Sequence, residues 1–197
     1  MADRELDVEE WKALLAIERA FRKACRTGGD LIACRPGCDD CCKRPFAITQ
    51  ADAARLRRGL EQAPREVADG IQERARANRA AAEAQFPGDL EKGELTADVG
   101  WRLWFFARWR GPACPVLDPE KGVCLLRKHR PAVCRLYGPL IRIGGTASGP
   151  CDLCYNGVPV EDMPRYEVEV KGDWDKEDPR PETIVALALL QEDGGGS

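Results

Sequence analysis

Apolar residues recur at helical spacing over residues 7–27, where Trp11, Leu14, Leu15, Phe21 and Cys25 share a face. Gly28 and Gly29 follow and stop the helix. A cysteine-rich loop comes next. Thr49, with Asp52 three residues on, has the form of an N-cap with an acidic third position and predicts a second helix over 50–61. Pro64 suits the first position of a third helix over 64–85. Val67, Ile71, Ala75 and Ala82 line one side of that helix, with Asn78 a polar exception among them. The turn residues "FPGD", 86–89, close it.

The period then changes. In "WRLWFFARWR", 101–110, residues Trp101, Leu103, Phe105, Ala107 and Trp109 alternate, which predicts a strand. Core packing is the expected role of its tryptophans, with docking of a protein partner as the alternative. "DPEKG", 118–122, is a turn between two cysteines. "RYEVEV", 165–170, alternates cleanly and predicts another strand, and "PETIVALALLQ", 181–191, a closing helix. The glycine-rich "RIGGTASGP", 142–150, has no strand-then-helix setting for a nucleotide-binding loop and is expected to be a turn. The pattern implies an α+β fold, mostly helical with short strands. It forms a small metal-stapled single domain over 1–192, with "GGGS" in a flexible tail at 193–197.

Composition narrows the function classes. The chain has 197 residues, of which 44% are hydrophobic and 32% charged, as in ordinary globular proteins. A net charge of −3 gives no support for nucleic-acid binding. The start lacks the basic segment and apolar run of a signal peptide, and no apolar stretch is long enough for a membrane span. A cytoplasmic location is therefore expected. Thiols stay reduced there and more often bind metal than form structural disulfides.

Ten cysteines carry the candidate chemistry. Cys25 lies on the apolar face of the first helix and is expected to be a core thiol. The other nine are candidate metal ligands: Cys34, Cys38, Cys41, Cys42, Cys114, Cys124, Cys134, Cys151 and Cys154. Cys38-x2-Cys41 and Cys151-x2-Cys154 have the gap that lets one turn aim two thiolates at an ion. Adjacent Cys41 and Cys42 would point to opposite sides of an extended segment, which suggests service to two ions. Eight or nine thiolates suit two four-thiolate sites or a multinuclear cluster, joining 34–42 to 114–154. Nearby cations would offset the thiolate charge: Arg35, Lys43 and Arg44 at the first cluster, and Arg127, Lys128, Arg130 and Arg135 around Cys124 and Cys134. The single histidine, His129, stands among arginines and is expected to be a surface residue rather than a ligand. An all-cysteine shell suits zinc or an iron–sulfur cluster, and spacing does not choose between them.

Cys34-x3-Cys38-x2-Cys41-Cys42, then Cys114-Pro115 with Leu117, then Cys124, then Arg130-Pro131-x2-Cys134-Arg135, resembles a bacterial cysteine-cluster family of zinc- or iron-chelating domains. The ordered match covers about 34–140. One branch of that family is similar to flagellin lysine N-methylases, which are larger and associated with an iron–sulfur cluster and S-adenosylmethionine. The resemblance thus implies a metal-binding protein. The alternative is an iron–sulfur-dependent enzyme, either a lysine N-methyltransferase-like or a redox catalyst, although no catalytic constellation surrounds His129. Cys34-x3-Cys38-x2-Cys41 also has the spacing of the radical S-adenosylmethionine motif. The chain lacks the alternating strands and helices of those barrels, and Asp40 stands where an aromatic usually precedes the last cysteine.

Overall fold

The computed structural model describes residues 8–171 and 179–191. Its helices are α1 (Val8–Gly28), α2 (Gln50–Glu61), α3 (Arg65–Ala82), α4 (Val99–Arg108), α5 (Ala132–Leu136) and α6 (Val185–Ala188). Strands of two or three residues pair in four small sheets, so the fold is α+β and mostly helical. The expected boundary at 192/193 and the tail lie outside the described residues. Those residues divide into two compact units. One comprises 8–38 with 132–171, the other 39–131 with 179–191.

In the first unit, Ile17, Ala20 and Ala24 of α1 pack on Ile141, Val168 and Val170, with Ala132 and Leu136 of α5 against the same cluster. Strand Ile141–Ile143 sits between Thr146–Ser148, antiparallel, and Val168–Glu169, parallel. The expected turn within 142–150 is the connection of this hairpin, where Gly144 and Gly145 both take positive φ, at 52° and 76°. Only Val168–Glu169 of the expected 165–170 strand is extended and paired, because 160–166 winds into a 3₁₀ turn. Arg135, 5% exposed, is ion-paired with Glu18 of α1. A second apolar cluster, Leu140, Cys151, Cys154 and Tyr155, packs against Leu31, Ile32, Ala33 and Cys34.

In the second unit, α2 begins as expected: Asp52 donates its N–H to Thr49 Oγ1 at 3.1 Å. Asp52 and Arg55 form an ion pair with side chains only 6% and 2% exposed. The third helix is shorter than expected at its C-terminal end, and Pro64 is its N-cap. The closing segment has less helix than its periodicity implies. Thr183–Ile184 pairs as a strand with Ala47–Ile48, and only Val185–Ala188 is helical.

The strand expected over 101–110 is a helix. Asp98 caps α4, its Oδ1 accepting the Trp101 N–H at 2.9 Å. Phe105 and Trp109, four residues apart, bury together. Phe105 meets Trp109 edge-on at 5.5 Å and Phe86 at 6.0 Å, inside a core that includes Leu95, Ile184 and Leu187. Alternation misleads here because Trp104 and Phe106 are apolar too, so no polar side defines a pleat. Trp109 packs in the core as expected. Trp101 and Trp104 do not, and they remain 47% and 44% exposed beside Val99 and Leu103. Among the described residues no helix is long and apolar enough to cross a membrane.

Candidate metal centre

The second unit holds Cys41, Cys42, Cys114 and Cys124. Cys41 and Cys42 lie in a 3₁₀ turn, Asp40–Lys43, in which Cys42 donates its N–H to Asp39 O at 2.8 Å. The backbone is wound rather than extended, so the adjacent thiols do not diverge as expected. They hydrogen-bond to each other. Cys114 donates its N–H to Cys42 O at 2.6 Å, which ties the two cysteine segments together. After Cys114 the Pro115-Val116-Leu117 turn presents the Val116 and Leu117 N–H groups to the Cys114 thiol. A hairpin then pairs Leu117 with Cys124, closed at Asp118, whose carboxylate accepts the Glu120 and Lys121 N–H groups.

α3 fixes this segment from outside. Asn78, 5% exposed, donates to Ala113 O and Arg74 O, both at 3.0 Å, and Arg74 Nε donates to Pro115 O at 2.8 Å. Carbonyls on both sides of Cys114 are thus held by one helix. The polar exception on the third helix is a support for the cysteine turn, a role its sequence position alone did not reveal.

The first unit holds Cys25, Cys34, Cys38, Cys134, Cys151 and Cys154. Cys34 and Cys154 are hydrogen-bonded thiols, and Cys38 and Cys25 lie within charge-interaction range of Cys34. Gly138, at φ 130°, makes room for this: a Cβ there would run into Cys34 Sγ. Cys151-x2-Cys154 forms a tight turn. Cys154 donates its N–H to Cys151 O at 2.8 Å, Leu153 donates its N–H to Cys151 Sγ at 3.5 Å, and Cys151 donates its own to Gly138 O at 3.0 Å. Cys134 is carried by α5 and is partly exposed. Cys25 departs from the core role expected of it. The fully buried line of α1 is Leu14, Ile17, Ala20, Ala24 and Gly28, and Cys25 is beside that line, partly exposed.

Electrostatics shows what these groupings favour. Burial, with the charges of Cys124 and Cys41, pushes the Cys114 thiol up to about 12, against the pull of the Val116 and Leu117 N–H groups. Cys41 is raised by its hydrogen bond to Cys42, by burial and by the Cys42 charge, and Arg130 lowers it. Cys34 is raised by burial and then by Cys154. Each thiolate would stand near others in a place poor in water, and a cation among them removes that cost.

The expected counter-cations divide their roles. Arg130 acts on Cys41, Lys43 pairs with Asp39 at 3.1 Å, and Arg135 serves Glu18. His129 packs its ring against the backbone of Gly59 in α2, where an added Cβ would meet its Cγ at 2.5 Å.

The donor chemistry fits a thiophilic ion. Each unit has at least four thiols, and backbone N–H groups face sulfur as outer-shell donors do around metal thiolates. Among the described residues no three His, Cys, Asp or Glu side chains converge on one ion-sized point. A family model described as "Putative zinc- or iron-chelating domain" matches residues 33–152, more than half the chain. No curated protein and no solved structure matches it.

Proposed function

Because the chain belongs to this family of zinc- or iron-chelating domains, we propose that it is a thiolate metal-binding protein whose two compact units each hold an ion. The observation that carries the proposal is the grouping of the thiols. Cys41, Cys42, Cys114 and Cys124 neighbour one another in one unit; in the other, Cys34 stands near Cys38 and Cys154 and packs in one cluster with Cys151 and Cys154, and Cys134 belongs to the same unit. The two-residue gap between Cys38 and Cys41 is on this view a junction between sites rather than one chelating turn. When bound, the metal supplies cross-linking and charge neutralisation, and four-thiolate shells of this kind are closed and structural. The ion is zinc or iron, the latter as an iron–sulfur cluster. The protein is placed in the cytoplasm, where thiols stay reduced and available to metal.

Anaerobic purification, elemental analysis and a visible spectrum test the proposal. Iron–sulfur protein is coloured and zinc protein colourless. Cys114→Ser and Cys154→Ser should each remove one site's metal, and the double variant both. A shared cluster would be lost entirely in either single variant, and protein purified free of zinc and iron would refute the proposal outright.

A further inference from the structure

We propose that the outer side of α4 is the contact between two copies of this chain, packed antiparallel about a two-fold axis. This pairing is independent of the metal proposed above.

α4 is apolar nearly all round. Its inner side places Phe105 in the core, with Trp109 just beyond the helix end. Its outer side carries Val99, Trp101, Leu103 and Trp104, exposed by 61%, 47%, 62% and 44%. The small residues Gly100 and Ala107 are exposed among them. Arg108 is the one charge on that side, because Arg102 is turned to Glu182. A helix with apolar residues on every side belongs in an interior. Contiguous exposed apolar residues that include two tryptophans mark a contact surface.

The arrangement of this side fits a second copy. At about 100° per residue, Gly100, Leu103, Trp104 and Ala107 form its central line. That line is symmetric about the point between Leu103 and Trp104. A two-fold axis there brings Leu103 against Leu103 of the second copy and Trp104 against Trp104. Gly100 then faces Ala107, and two small residues at each end allow close approach of the helices. The charges match as well. Asp98 caps the start of α4 and Arg108 ends it, about 15 Å further along. Arg108 lies over the Trp104 ring at 5.4 Å, which holds its guanidinium on the outer side. Antiparallel pairing sets Arg108 of each copy beside Trp101 and Asp98 of the other, whereas parallel pairing would set the two Arg108 side chains together. An acidic protein segment or an anionic membrane calls for more cations than the one this side offers. Closed two-fold dimers are also the commonest assembly of identical chains.

Sedimentation equilibrium of the full chain reads the pairing, under anaerobic and reducing conditions so that no disulfide joins the copies. The wild-type protein should show a concentration-dependent monomer–dimer equilibrium that dissociates on dilution, since one helix of 10 residues is a small interface. Leu103→Glu sets two carboxylates against each other at the axis and should weaken dimerisation on the order of 100-fold. Leu103→Lys should do the same. Mixed in equal amounts, with one of them carrying a mass tag, the two variants should pair with each other. Urea unfolding in dilute solution checks that both are folded. A wild-type protein that stays monomeric would overturn the proposal, including one that binds anionic vesicles or an acidic protein through α4 instead. So would a dimer that Leu103→Glu leaves unchanged, or folded variants that fail to pair when mixed.

Discussion

At the scale of single residues, support around the thiols is as specific as the thiols themselves. Asn78 is buried and bonds both Ala113 O and Arg74 O. Replacing it with Leu leaves the Ala113 carbonyl without that donor and should cost roughly 1–3 kcal/mol. Urea unfolding of Asn78→Leu against the parent measures this, and metal at Cys114 should become easier to remove by a chelator. His129 gives a pH signature. Burial, then the charge of Arg58, holds its pKa below the usual 6.5. The folded state therefore prefers neutral imidazole. This contribution is fully present above about pH 6.5 and is lost as pH falls through the lower folded value. The urea midpoint should drop between pH 7.5 and 5.5 by more in the parent than in His129→Asn, and equal drops would show that the ring does not titrate this way. The nine cysteines outside α1 were legible as ligand candidates because reduced thiols at such spacings have few other uses. Asn78 was visible only as a polar break in an apolar stripe. Nothing local says which carbonyl, 35 residues away, it bonds.

At the scale of elements, α2 was read to the residue because its cap is local: Thr49 and Asp52 make their bond within one turn. α4 was misread because its choice between helix and strand is tertiary. Phe105 and Trp109 become neighbours only when the segment winds, and Ile184 and Leu187, which they pack against, lie far from it in sequence. Two substitutions tell the conformations apart. Phe105→Ala should cost about 3–5 kcal/mol, because it empties a packed aromatic cluster. Leu103→Gln, on the exposed side, should change stability by no more than about 0.5 kcal/mol. A strand with 101, 103, 105, 107 and 109 on one buried face would make both costly, and equilibrium denaturation of the two variants decides it. The closing helix fell short for a similar reason: Thr183–Ile184 is taken by pairing with Ala47–Ile48, a partner more than 130 residues earlier.

At the scale of the whole molecule, the described strands have only two or three residues each, so little of the stability can come from sheets. Metal in each unit would add folding energy directly. Chelation under reducing conditions should lower the thermal midpoint by about 10 °C or more, since a chain of this size loses roughly 2–4 °C per kcal/mol. Calorimetry with and without chelator measures it, and an unchanged midpoint would remove the structural role for metal. The α+β character was legible from the sequence, because helical periodicity and turn residues are local. The division of the thiols between two units was not, because each set gathers cysteines from distant stretches. That distance matters while the chain is being made. Cys34 meets Cys154 only after some 120 further residues have been added, roughly 6 to 24 seconds of synthesis at usual rates. During that interval the early thiols emerge from the ribosome without their partners, open to oxidation and to any passing thiophilic ion. On the two-site proposal, a cell making this protein has to keep them reduced and supply metal only once the later cysteines have arrived.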